Sequence, residues 1–111
     1  MAKVLIVAEH LAGNLNASTA KCVSCAQQLS PEAIDVLVLS DAPDAVASAA
    51  AALDGVSRVL TVARSENAHA LAALLAPQVA RAAAGYSHVF GPSTTFGKDL
   101  MPRVAALLGV A

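Results

Sequence analysis

Three groups of residues in this sequence combine the types and spacing that chemistry requires. The first is the run Phe90-Gly91-Pro92-Ser93-Thr94-Thr95-Phe96-Gly97-Lys98-Asp99, where hydroxyls, glycines and a lysine lead into an apolar stretch. Unpaired amides at a helix start, together with the Ser93, Thr94 and Thr95 hydroxyls and Lys98, offer an anion site. The same hydroxyls serve equally well as helix caps, with Gly97 letting the backbone turn. The phosphate-loop pattern G-x-x-x-x-G-K-[ST] is not met, because Asp99 follows Lys98. An acid at that position favours the helix dipole and repels an anion. The expected use of the loop is capping or a partner surface, and Arg103, one turn on, is read as an ion-pair or interface residue.

The second group is Glu9-His10, an adjacent acid and imidazole. Neighbours at a strand end point to different faces, and no third polar group in the sequence completes an acid–base constellation. The third is Cys22-x-x-Cys25. A redox dithiol places its first cysteine at a helix N-terminus, where the dipole stabilises the thiolate. Here Leu15, Cys22, Cys25, Ala26 and Leu29 fall largely on one helical stripe, inside the predicted segment. A zinc site needs two further ligands, and no other Cys or His pair has ligand spacing, so no metal is expected. Both cysteines are therefore read as small buried core residues.

These residues must be held by elements the sequence also shows. Near-continuous apolar runs such as Val4-Leu5-Ile6-Val7 and Val36-Leu37-Val38-Leu39 suit parallel strands covered on both faces. Strands are predicted at Lys3–Ala8, Ile34–Ser40, Arg58–Ala63 and His88–Gly91. Helical segments lie between them at Ala17–Leu29, Pro43–Leu53 and Asn67–Ala84, with a last one from about Lys98 to Leu108. Asp41 is expected to cap the second helix, and Gly55 to end it. In the third helix, Leu71, Leu74, Leu75, Val79 and Ala82 form the expected core stripe, and Pro77 a kink or a fresh start. Pro102 fits within a helix's first turn, which puts the start of the last helix near Gly97–Asp99. The alternation predicts an α/β fold: a parallel, doubly wound, three-layer α/β/α sheet of the Rossmann-like kind. Glu9-His10, Ala63-Arg64-Ser65 and Gly91–Lys98 then share the carboxyl rim, where ligands and partners gather, while His88 sits on the opposite rim.

Composition narrows the classes. The formal net charge is −1 with no basic run, which argues against nucleic acid. No apolar run approaches the length of about 20 residues that a membrane span needs. Only 3% of the 111 residues are aromatic, so core packing falls to Ala, Val and Leu. The amino end turns polar at Glu9-His10 too early for a signal peptide, and a cytoplasmic setting is expected. Four strands leave one half of such a sheet thin, so the chain is read as a fragment of a longer protein.

The stretches Val4–His10 (VLIVAEH), Val56–Ala63 (VSRVLTVA) and Tyr86–Val110 (YSHVFGPSTTFGKDLMPRVAALLGV), with their spacing, resemble the α subunit of electron transfer flavoproteins. The resemblance spans essentially the whole chain and looks like that family's amino-terminal domain. It implies a nucleotide-hydrolase-like fold with the first strand central, and a heterodimer with a β subunit of similar fold. It implies that FAD is held chiefly by a carboxyl-terminal domain absent from this chain, with no cofactor on residues 1–111. It further implies that the full protein carries electrons from dehydrogenases to a quinone-linked reductase, with no catalytic residues in this segment. In the related β subunit the loop matching Gly91–Lys98 helps hold a structural AMP; in the α subunit that site is expected to be empty. Glu9, His10 and Thr95–Arg103 match the family pattern and are expected to set shape and partner contacts.

Three other classes remain for comparison. An adenine-nucleotide module of the universal stress type needs a G-x-x-G loop after the fourth strand, and Gly91 and Gly97 are too far apart for it. A phospho-receiver needs an acid at the end of the third strand, where Val62-Ala63-Arg64 stands. A thiol redox protein would need Cys22 and Cys25 exposed and acidic.

Overall fold

The computed structural model describes residues 2–110. Four strands form one parallel sheet: β1 (Lys3–Val7), β4 (Ala33–Ser40), β5 (Arg58–Ala63) and β6 (His88–Phe90), in the order β5-β4-β1-β6. A separate antiparallel hairpin, β2 (His10–Leu11) and β3 (Asn14–Leu15), follows β1. The α-helices among the described residues are α1 (Ser18–Gln27), α2 (Asp44–Ala51), α3 (Ala72–Ala82) and α4 (Thr95–Leu108).

The apolar runs of β1 and β4 are buried as expected, whereas β5 and β6, at the two edges of the sheet, are exposed or half-buried along their length. Along β1, Val4 and Ile6 face the α1–α2 layer while Leu5 and Val7 face the α3–α4 layer, and all four are at most 1% exposed. Burying each such side chain contributes about 1.5–3 kcal/mol. From β1 the chain moves to β4 and then β5, with α1 and α2 on one face. It then crosses back to β6 on the other side of β1, with α3 and α4 on the second face. The three-layer, doubly wound α/β/α sheet is thus formed, and its switch of direction lies between β1 and β6.

Several local expectations are corrected. The hairpin occupies residues 10–15, so Leu15 is in a strand and not on the α1 stripe. Its two-residue turn is Ala12-Gly13, both at positive φ (52° and 78°), the twist such turns require. The Asn16 side chain accepts from the Ser18 amide at 2.9 Å, and α1 starts there. The buried face of α1 is Thr19, Cys22, Val23 and Ala26, which rotates Cys25 into solvent and leaves Leu29 42% exposed.

Asp41 does not cap α2. Ser40 Oγ accepts from the Ala42 amide at 3.1 Å and forms the turn itself, and the helix opens after Pro43 with Asp44 in its first turn. Ala52 caps α2, and Gly55, at φ 94°, follows in the loop and does not close the helix. The third helical segment splits into a 3₁₀ turn (Ser65–Ala68) and α3. The inward face of α3 is Ala72, Leu75, Ala76 and Val79, while Leu71 and Leu74 are 55% and 40% exposed. Pro77 lies on the outer side of an α3 that continues through it. The buried Gln78 pairs with Asn67 through two amide hydrogen bonds of 2.8 and 2.7 Å, tying the 3₁₀ turn to α3.

Candidate functional site

The crevice that the topology opens lies beyond the carboxyl ends of the strands. Its centre is the meeting of the loop after β1 with the loop after β6. Thr94, in extended backbone, is the N-cap of α4, and its hydroxyl accepts from the Gly97 amide at 3.4 Å. The same hydroxyl donates to Glu9 Oε1 at 2.7 Å. The Lys98 amide is bonded to the Thr94 carbonyl at 2.8 Å. Two of the first amides of α4 are therefore taken by the cap residue itself.

The helix starts at Thr95 because of that cap, ahead of the Gly97–Asp99 start expected from Pro102. Pro102 is then the eighth residue of α4, and its exposed side of the helix accommodates the ring. Gly97 is required for a different reason than turning. A Cβ there would stand 1.7 Å from the Pro92 carbonyl oxygen, so the loop packs its own backbone directly on the first turn. Both Pro92 and Gly97 are buried.

The remaining expected site residues do not converge. His10 turns the other way and bonds the Leu39 carbonyl through Nε2 at 2.8 Å, clamping the hairpin to the end of β4. Ser93, Thr95 and Lys98 are exposed, and Lys98 makes no ion pair among the described residues. Arg103 pairs with Asp99 at 3.4 Å along the helix surface, with both side chains more than half exposed. Such a pair contributes little. Glu9, Thr94 and Gly97 are thus the only three expected residues that share one structure at the rim.

Beside them is a cavity of about 300 Å³, walled by His10, Leu39, Ser40, Asp41, Asn67 and Phe96 among others. Its walls carry the acid Asp41 and no lysine or arginine. A dinucleotide's pyrophosphate finds no cation there, and the volume is at the small end for a drug-sized ligand. No cluster of three or more potential metal ligands occurs among the described residues.

Sequence reasoning missed a polar group at the opposite rim. Asp35, fully buried in β4, accepts from Arg58 Nε at 2.9 Å and from the Tyr86 hydroxyl. Burial, followed by the bond to Asp35, pushes the Tyr86 phenol above its usual range. Lys3 Nζ lies 4.8 Å from the Tyr86 ring centre. The signal was an acid inside the apolar run Ile34-Asp35-Val36, which a buried strand tolerates only with a partner. Cys22, also buried, has its thiol pushed above the ordinary range by burial and then by the neighbouring Cys25. That is opposite to what a thiol redox centre needs.

The fold and rim together define a doubly wound α/β domain in which Thr94 and Glu9 bridge the two loops at the switch point. The chain belongs to the electron transfer flavoprotein family: the electron transfer flavoprotein domain matches residues 4–111. It is 44% identical to the electron transfer flavoprotein subunit alpha of Pseudomonas aeruginosa, over 96% of this chain and 34% of that protein. It is 39% identical to the subunit alpha of Paracoccus denitrificans, again over 96% of this chain and 34% of that one. The mitochondrial subunit alpha of Dictyostelium discoideum is 33% identical, over 96% of this chain and 32% of that protein. The chain spans about a third of the length of these curated relatives. The universal stress reading is set aside by these matches.

Proposed function

We propose that this chain is the amino-terminal domain of an electron transfer flavoprotein α subunit, acting as scaffold and as interface for a β subunit of similar fold. FAD belongs to a further, carboxyl-terminal domain of the full protein, and residues 1–111 supply no catalytic group. The assembled carrier works in the cytoplasm, moving electrons from flavin-dependent dehydrogenases to a quinone-linked reductase. When bound, the flavin supplies the redox chemistry; the described residues supply position and contact.

The observation that carries this reading is the contrast between the two kinds of surface. The carboxyl-rim cavity is small and lacks a cation, whereas an uncharged groove of about 680 Å³ runs beside β6. Met101, Val104, Leu108 and Val110 are among its walls. Val110 in that wall and Leu107, next to Leu108 in sequence, are 61% and 57% exposed, an apolar surface of the kind that marks contact with other protein. No described helix is long and apolar enough to cross a membrane.

The test is a sedimentation measurement of the chain mixed with an electron transfer flavoprotein β subunit. Complex formation that Val110→Glu and Leu107→Glu weaken together supports the interface. A chain that stays free while binding FAD tightly by itself sinks the scaffold reading.

A further inference from the structure

The cavity at the carboxyl rim, about 300 Å³, has four polar side chains in its walls: His10, Ser40, Asp41 and Asn67. Every side-chain donor among them is already engaged. Ser40 Oγ donates to Asp41 Oδ1 at 3.4 Å while accepting from the Ala42 amide. The Asn67 amide nitrogen donates to the Val62 carbonyl and to Gln78 Oε1. The Leu39 carbonyl can only accept, so His10 Nε2 carries the hydrogen of their 2.8 Å bond. Acceptors are what remain. The exposed Asp41 carboxylate receives one long contact and takes part in no ion pair among the described residues. In a neutral imidazole, His10 Nδ1 is an acceptor too. Around these groups the wall is apolar: Leu39 and Leu75 are at most 4% exposed, and Phe96 also lines the space.

We propose that this cavity takes an alkyl cation, the chemistry shared by a lysine or arginine side chain of a protein partner and by a free aliphatic amine. Such a ligand offers donors and no acceptor at one end and hydrocarbon at the other. Its head meets the Asp41 carboxylate, and its stem lies against Leu39, Leu75 and Phe96. An anion meets the wrong sign of charge, since the walls hold no lysine or arginine. A metal ion finds a single carboxylate, and no cluster of three potential metal ligands occurs among the described residues. Leu11, 82% exposed, borders the same cavity and gives a protein partner an apolar contact beside it.

The experiment follows the backbone amide signals of Gly13, Asp41 and Phe96 by NMR during titrations with hexylammonium chloride and with 1-hexanol, its uncharged counterpart. The wild-type chain, Asp41→Asn, Asp41→Ala and the charge-conserving Asp41→Glu are compared. Hexylammonium is expected to bind about three- to fivefold more tightly than hexanol, the gain an exposed carboxylate allows. That preference should persist in Asp41→Glu, vanish in Asp41→Asn or Asp41→Ala, and shrink with added sodium chloride. Either neutral variant that keeps a dispersed spectrum suffices for the comparison. Equal affinity for amine and alcohol in the wild type, or a folded neutral variant that binds the amine unchanged, overturns the proposal. A third titration, with N-acetyl-lysine methylamide, separates the two sources. Tighter binding than hexylammonium assigns the cavity to a protein side chain, and weaker binding assigns it to a free amine.

Discussion

Thr94 and Glu9, 85 residues apart, share a 2.7 Å hydrogen bond that joins the loop after β6 to the loop after β1. The contact crosses the point where the sheet changes direction. It is a hydroxyl-to-carboxylate bond, the stronger kind, in a half-buried setting. Thr94→Val is expected to cost about 1.5–3 kcal/mol in urea denaturation. A double-mutant cycle with Glu9→Gln should return a coupling of about 1 kcal/mol or more. Additive losses would show that the two residues do not act on each other.

Gly97 is held by space and not by backbone angle. An alanine there meets the Pro92 carbonyl, whereas at Gly85, with φ 87°, a Cβ meets nothing within 4 Å. Gly97→Ala is therefore expected to lose at least about 3 kcal/mol, the upper range for overpacking. Gly85→Ala should lose about 1–2 kcal/mol, the left-handed backbone cost alone. Equal losses in a melting comparison would contradict the close approach of the loop.

Ala12 occupies a left-handed position, φ 52°, in the hairpin turn beside the cavity. Ala12→Asn relieves that conformation, since Asn tolerates it and alanine does not. A stabilisation of about 0.5–1 kcal/mol is expected by thermal or urea unfolding. A loss of stability would mean that the Ala12 methyl is needed against the cavity wall.

Tyr86 sets an alkaline limit. Its phenol is raised by burial and by the bond to Asp35, so the folded state favours the neutral form. Stability from this group is fully present below the ordinary phenol value near 10 and is lost as pH rises through the raised one. Tyr86→Phe should flatten that alkaline loss in denaturation curves taken across the range. It should also cost about 1.5–3 kcal/mol at neutral pH, because a fully buried carboxylate loses a donor.

The cysteines separate in the same way. Cys25 is exposed and Cys22 is buried with a raised thiol. Native alkylation at neutral pH should add one group quickly, at Cys25, and a second only on unfolding. Rapid labelling of both would contradict the α1 orientation.

The central strands β1 and β4 were legible because each carries a near-continuous apolar run, and burial on both faces leaves no other use for Val36-Leu37-Val38-Leu39. Parallel order followed from the alternation with helices. What escaped was set by short or distant contacts. The two-residue strands of the hairpin carry no periodicity, and missing them placed Leu15 on the α1 stripe, which put Cys25 on the wrong face. The helix α4 starts early because Thr94 caps it, a local bond that outweighs the preference for proline in a first turn. Glu9 and Thr94 were both recognised as rim residues, yet nothing in sequence spacing says that they bond to each other. Asp35 announced itself only as a charge in an apolar run; its partners Arg58 and Tyr86 arrive from two other segments.

The scaffold role of this domain is tested most directly by calorimetric titration of the wild-type chain with AMP, ATP and FAD. A rim bridged by Glu9 and Thr94, beside a small cavity whose walls carry no lysine or arginine, predicts no heat of binding at micromolar ligand. Saturable micromolar binding of any of the three would contradict it.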